Sequence, residues 1–313
     1  MRGGNVVLEP EVWRSHQREH RRAVDELTAG HRARRSRGER HPVWDFMFTY
    51  YPVTPGKLGR WNPGAAVSLV ADDGDRPGTT GSLREVADRD GTRRWELDAA
   101  SLAARRGESF RFIRRLLSAT LDHTPRFSCF GMHEWAMVYR DEPRHPEPLR
   151  LGRTGTDSVV EESTLRCTHI DAFRFFTDEA VPRNTLHPTR RTQVDLEQPG
   201  CLHATMDLYK WATKLGPLVP GELWLDTFRL ACDVRRTDME ASPYDLREWG
   251  FTPVEVETPE GRAEYVRRQR DFADRGQVLR RSLIDRIDTF FDVADPAGDT
   301  QKTESGHGTT QRT

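Results

Sequence analysis

The chain has 313 residues, 48 of them basic and 49 acidic, so its formal net charge is −1 and bulk attraction to DNA is excluded as the main basis of function. No apolar run approaches the roughly 18 residues of a membrane span, and the N-terminus lacks the apolar core of a signal peptide. We therefore expect a cytoplasmic protein with no membrane partner; its 4 cysteines are too far apart for a disulfide scaffold or a paired-cysteine zinc site.

The first half of the chain predicts two long helices. Residues 9–38 form the first, and its surplus of arginine makes residues 1–40 a basic N-terminal arm that either contacts a nucleic-acid backbone or is simply solvated. Residues 72–93 are polar and glycine-rich, which indicates a surface excursion. Apolar spacing predicts the second helix at residues 98–121. The proline- and glycine-rich residues 141–158 are predicted to be a linker.

The second half begins with a predicted short strand at residues 165–170. Two helices follow at residues 200–215 and 221–236, and the short Gly-Pro turn between them predicts an antiparallel pair. Residues 242–245 have the pattern of a helix-capping box. Alternating residues 253–257 predict another short strand.

A long last helix is predicted at residues 258–292, followed by a polar, disordered tail at residues 293–313. The aromatic density on both sides of the linker favours one core over two lobes. The predicted fold is therefore mainly α with a few short β-strands, with a single composite helical domain at residues 41–292.

Two pairs of ionisable residues stand in apolar sequence. His133 and Glu134 are the ionisable residues of the aromatic stretch 127–139, and burying them requires partners. We interpret them either as catalytic or ligand-contacting groups or as a hydrogen-bonded core pair. His169 and Asp171 are two residues apart. They are either metal ligands, or a histidine oriented by its aspartate, or a packed histidine beside a helix-capping aspartate.

A polar stripe follows the predicted helix at residues 200–215. His203, Asp207, Lys210 and Lys214 have i, i+4, i+7, i+11 spacing and therefore lie on one face, while the other faces are almost entirely apolar. The stripe is either ordinary amphipathicity or the border of a cleft.

Arginines and carboxylates are concentrated again at residues 235–245. The functional interpretation is that arginines clamp an anionic ligand while Asp238 acts as acid or base, and the alternative is a salt-bridged helix connection. The chain has no GxGxxG, GxxxxGK[ST] or GxSxG motif, so dehydrogenase, P-loop and α/β-hydrolase functions have no support.

Six sequence blocks between about residues 41 and 290 resemble a family of high-GC Gram-positive bacteria labelled 3-methyladenine DNA glycosylase. The blocks are HPVWDFMFTYY, WNPG, CFGMHEWAMVYR, HIDAFRFF, EQPGCLHATMDLYKW and RRTDMEASPYDL. The resemblance implies a hydrolase without a cofactor that flips an alkylated purine out of DNA, stacks it on aromatic side chains, and uses an Asp or Glu to assist water. It is not a standard helix-hairpin-helix glycosylase, because residues 198–202 keep only the first glycine of that hairpin.

Three hypotheses follow: a DNA glycosylase acting on alkylated purines, a helical metal-dependent enzyme using iron or zinc, and a module that binds a small anion. The candidate catalytic residues are Glu134, His133, Asp207 and Asp238. The candidate substrate-binding residues are Trp135, His203, Tyr209, Lys210, Trp211, Arg235 and Tyr244. The candidate metal ligands are His133, His169, Asp171 and His203. Both enzymatic hypotheses predict that His133, Glu134, His203 and Asp207 converge within about 10 Å in one cleft.

Overall fold

A computed structural model describes residues 6–72, 77–78 and 83–295. Within these ranges the chain forms eleven α-helices and four short strands, which confirms the mainly α fold. The helices are α1 (Pro10–Ser36), α2 (Phe46–Thr49), α3 (Pro55–Leu58), α4 (Ala99–Asp122), α5 (Met132–Ala136), α6 (Gly152–Glu162), α7 (Ile170–Phe173), α8 (Gln193–Leu196), α9 (Leu202–Leu215), α10 (Gly221–Glu240) and α11 (Pro259–Ala294). The strands are β1 (Val6–Leu8), β2 (Val67–Val70), β3 (Leu83–Ala87) and β4 (Arg93–Leu97). Three 3₁₀ turns lie at Val181–Arg183, Gly216–Leu218 and Arg247–Trp249.

Four long helices build the main core. Helices α9 and α10 pack against each other as predicted. Gly216, with a φ of +64°, turns the chain between them. Helix α11 packs against α4, α9 and α10. Helix α11 begins where Thr258 accepts a hydrogen bond from the backbone N–H of Gly261 (3.0 Å). Leu208, Phe228 and Ile287 are fully buried between these helices. The core therefore surrounds α9, which is buried on most of its faces.

Helix α1 is packed along one face instead of extending as a free arm. Trp13, Val24 and Thr28 of this face are fully buried. The helix lies against α3, α10 and strand β2. The sheet has the order β1-β2-β4-β3, with β1 parallel to β2 and the other pairs antiparallel. The basic residues of α1 thus occupy the outward side of a structural helix.

Two predictions of local structure are wrong in the first two-thirds of the chain, and a third is incomplete. The surface excursion predicted at residues 72–93 contains β3 and the start of β4, although residues 73–76 and 79–82 lie outside the described residues. Helix α6 begins inside the linker predicted at residues 141–158. The strand predicted at residues 165–170 is reduced to a single bridge between Leu165 and Asn184, because α7 begins at Ile170.

Two more predictions fail after α10. The capping box at Ser242 starts no helix: its hydroxyl donates to the Met239 carbonyl (2.7 Å) and so terminates α10. Residues 253–257 form no strand, and the backbone N–H of Val254 donates instead to the Glu240 carbonyl (2.7 Å). Of the tail predicted at residues 293–313, the first two residues end α11 and residues 296–313 lie outside the described residues. Among the described helices, none combines the length and apolarity needed to cross a membrane.

Candidate functional site

Short helix α5 brings His133 and Glu134 into the core. It begins directly after Gly131, whose φ of +71° reverses the chain and whose missing Cβ would lie 3.2 Å from the Tyr265 ring. The positive φ, together with this close approach, favours glycine at the start of α5. His133 is 3% exposed and Glu134 7% exposed, so both are buried as the sequence suggested.

His133 and Glu134 form a closed network of charges with α10. Nε2 of His133 donates to Oδ1 of Asp238 (2.8 Å). Nη1 of Arg235 donates both to Oδ2 of Asp238 (3.0 Å) and to Oε1 of Glu134 (3.2 Å). Two cations and two carboxylates therefore compensate each other in a place where unpaired charges would be very costly.

Three imidazole rings extend this network towards α7. The ring centroid of His203 lies 4.3 Å from that of His133 and 5.4 Å from that of His169. Burial disfavours the charged His133 ring, but the Asp238 carboxylate outweighs burial and raises the pKa of His133 well above its usual value. Burial and then repulsion by His133 lower the pKa of His203 to about 3. His203 is thus a neutral ring that carries a free lone pair.

A second buried charge network surrounds His169. Its Nε2 lies 3.2 Å from Oδ2 of Asp207 and 3.5 Å from Oε1 of Glu197, yet neither ring nitrogen makes a hydrogen bond with a described residue. Asp207 also pairs with Lys210 and accepts a hydrogen bond from the Tyr51 hydroxyl (3.2 Å). Asp207 therefore has three polar neighbours, and His169 lies between two carboxylates.

Asp171 lies at the outer end of the second network, away from the three imidazoles. Its carboxylate pairs with Lys210 (2.8 Å) and with Arg190. Burial favours the neutral acid, but the two cations lower the pKa of Asp171 to about 2. Asp171 neither caps α7 through its side chain nor shares a ligand position with His133 and His203. Asp171 therefore shares Lys210 with Asp207 and links it to Arg190.

The arrangement contains one set of side chains that could hold a metal ion. His133, His203 and Asp238 each offer one ligand atom, and these atoms all lie within 4.8 Å of one another. In the described part of the chain, no other three histidine, cysteine or acidic side chains meet this condition. The predicted ligand His169 borders this set through its ring contact with His203.

Four predicted substrate-binding aromatics are core residues. Trp135 and Tyr209 are fully buried, and the Trp135 ring N–H donates to the Ala241 carbonyl (2.9 Å). Trp211 is 4% exposed and is covered by Lys210, whose Nζ lies 4.5 Å from the ring centroid. Tyr244 is 3% exposed, and its hydroxyl accepts from the backbone N–H of Arg144 (3.2 Å). Their packing leaves no free aromatic face for a ligand.

Two cavities reach the buried networks from the surface. The first, here the Arg235 cavity, has a volume of about 390 Å³ and is lined by Arg235, Phe46, Arg144 and Trp249 among others. The second, here the Cys129 cavity, has a volume of about 300 Å³. Its wall includes Cys129, whose thiol is close enough to the His133 ring to contribute to the raised pKa of that ring.

Sequence reasoning did not find Tyr51, Cys129 or Glu197 as members of the site. Cys129 is four residues before His133, and this proximity in sequence was an available signal. Tyr51 and Glu197 contact Asp207 and His169 from distant parts of the chain, so no local pattern reveals them. Comparison with protein-family models, with curated proteins and with solved structures finds no match to this chain.

Proposed function

We propose that the protein is a metal-dependent enzyme whose ion is bound by His133, His203 and Asp238. The observation that carries the proposal is the convergence of their three ligand atoms within 4.8 Å. Two imidazoles and one carboxylate are a donor set that suits zinc or non-haem iron and leaves coordination positions open. Water bound at an open position is a nucleophile near neutral pH, which favours a hydrolytic reaction.

The neutral state of His203 supports this assignment, whereas His133 must exchange a proton for the metal ion. His203 is neutral and can donate its lone pair without losing a proton. His133 carries a proton directed at Asp238, and a cation would take the place of that proton between the two side chains. Arg235 would then orient Asp238 from the other oxygen, in the manner of the outer partners that fix metal ligands.

The test is titration of the full chain with Zn²⁺, Fe²⁺ and Co²⁺ from metal-buffered solution, with the visible spectrum of Co²⁺ as a second readout. We expect one equivalent to bind and His203→Ala to abolish binding. Asp238 neutralises His133 and Arg235, so its substitution can unfold the chain and His203→Ala is the informative variant. His187→Ala, a change at an exposed histidine, is the matched control.

Two results contradict the proposal. One is a folded wild-type chain that retains none of the three ions. The other is a His203→Ala variant that binds as tightly as the wild type. Circular dichroism of each variant establishes that the comparison is made between folded proteins.

The Arg235 cavity favours DNA base excision as a second candidate function. Trp249, which is 40% exposed, offers aromatic surface there beside Arg40 and Arg144. Arg235 connects the cavity to the carboxylates of Glu134 and Asp238. A flipped purine stacked on Trp249 would lie in the same cavity as Arg235.

This second candidate is tested by incubating the full chain with methylated duplex DNA and measuring abasic sites. The glycosylase function predicts abasic sites that persist in the presence of a chelator and disappear in the Trp249→Ala variant. Equal amounts of product from wild type and variant, or none from either, would exclude it.

A further inference from the structure

The Cys129 cavity has the composition of an anion site. Its volume is about 300 Å³, and Arg126 and Arg166 line it without any acidic side chain. Both arginines are exposed, and neither guanidinium has an ion-pair or hydrogen-bond partner among the residues that the structure describes. The cavity therefore carries two uncompensated positive charges in a protein whose net charge is only −1.

The Arg235 cavity provides a comparison within the same molecule. Arginines line it as well, but Asp45 and Glu147 lie on the same wall and offset their charge. Arg144 there donates to the Phe175 carbonyl (3.2 Å), and Arg235 is bonded to two carboxylates. The uncompensated charge thus distinguishes the Cys129 cavity.

The backbone around Arg126 is held in place by a buried side chain. Gln198 is 5% exposed, and its Oε1 accepts from the backbone N–H groups of Arg126 (2.7 Å) and Gly200 (2.8 Å). Its Nε2 donates back to the Arg126 carbonyl (3.3 Å). This reciprocal bonding fixes the wall of the cavity before any ligand arrives, which lowers the entropic cost of binding.

Hydroxyl groups complete the polar wall. Ser128 and Thr168 line the cavity, and neither side-chain oxygen donates to another residue in the described part of the chain. Two guanidinium groups and two hydroxyl donors form the set that coordinates the oxygens of a phosphate. Thr168 is followed by His169, and Cys129 contacts His133, so the inner wall adjoins both histidine networks.

We propose that the Cys129 cavity binds the phosphate group of a small-molecule substrate through Arg126 and Arg166. That this phosphate belongs to the substrate of the metal centre rests on the proposed function, because the cavity adjoins the His133 network from the solvent side. The phosphate site itself depends only on the cavity wall. A carboxylate offers two oxygens to the same four donors, whereas a phosphate offers three or four and satisfies more of them.

The test is isothermal titration of the full chain with inorganic phosphate and, separately, with acetate, each with and without added Zn²⁺. We expect saturable binding of phosphate in both conditions and weaker binding of acetate. The Arg126→Gln/Arg166→Gln variant should lose at least about tenfold in phosphate affinity, since two charge-assisted contacts are removed. The control is Arg35→Gln/Arg60→Gln, which removes two likewise exposed arginines outside the cavity, one in the last turn of α1 and one after α3, and should bind phosphate as the wild type does.

Three results overturn the inference: no saturable binding of phosphate, an equal loss in the two double variants, or acetate bound as tightly as phosphate. A chain that binds Zn²⁺ but no phosphate removes this inference and leaves the metal centre in place. A chain that binds phosphate but no metal ion removes the proposed function and leaves the phosphate site.

Discussion

Asp207 on α9 is 1% exposed and lies among charged and polar partners. It pairs with Lys210, faces His169 and accepts a hydrogen bond from Tyr51. Burial alone would raise the pKa of Asp207, but Lys210 and His169 lower it below its usual range, so the group stays ionised. The carboxylate therefore holds together side chains from α9, from the segment before α7 and from the segment after α2.

We predict that Asp207→Asn destabilises the protein by about 3–5 kcal/mol, because it leaves buried positive charge without its main partner. The matched control is Asp226→Asn, which breaks the exposed pair with Arg229 (2.9 Å) and should cost less than about 1 kcal/mol. Chemical denaturation of both variants in the presence of a chelator measures the difference. Equal midpoints would mean that the buried network contributes no stability.

Residues near each other in sequence were the predictable part of the site. The i, i+3 relation of Asp207 and Lys210 follows from the helix period, and the two side chains do pair. His133 and Asp238 are 105 residues apart, and no periodicity relates them. The sequence indicated that a buried His133 needs a partner, but it did not indicate that this partner is Asp238 of α10, which tertiary structure brings to it.

At the scale of elements, the start of α11 depends on one glycine. A Cβ on Gly261 would lie 2.0 Å from the carbonyl oxygen of Glu255, which is backbone and cannot rotate away. Gly30 in α1 is exposed, and a Cβ there would approach only the end of the Arg34 side chain (3.3 Å). Both glycines are helical, but only the first is required by a close contact.

We predict that Gly261→Ala destabilises the protein by about 1–3 kcal/mol, because the added methyl group displaces backbone. Gly30→Ala should stabilise it by about 0.5–1 kcal/mol, because alanine loses less conformational entropy in a helix. Thermal unfolding of the two variants against the wild type checks both signs. If Gly261→Ala stabilised the protein instead, the close contact with the Glu255 carbonyl would not determine how α11 begins.

Helices with strong end signals were predicted well, and short irregular elements were not. The cap of Thr258 with Pro259 behind it identified the start of α11 from local chemistry alone. Strands β3 and β4 were missed because β3 is mostly exposed and its apolar and polar residues do not alternate. Strand β4 pairs with both β3 and β2, and these pairings stabilise the extended conformation. The sequence does not reveal them.

At the scale of the whole molecule, α1 joins the sheet to the helical core. Trp13 is fully buried with Trp61 and Leu69, and its ring N–H donates to the Val70 carbonyl (3.2 Å). Further along the helix, Val24 belongs to the main core. A helix that only contacted nucleic acid would not need these contacts, so the arginine-rich face is carried by an element that the fold requires.

Substitutions at two neighbouring positions of α1 test whether the fold requires this helix or whether it is only an arm for nucleic acid. Trp13→Ala should destabilise the full chain by about 3–5 kcal/mol, because it opens a cavity under the sheet and removes a buried hydrogen bond. Val12, the preceding residue, is 43% exposed, and Val12→Ala should change stability by no more than about 0.5 kcal/mol. Chemical denaturation followed by circular dichroism gives both values. If Trp13→Ala unfolds at the wild-type midpoint, α1 is dispensable and its role is that of an arm.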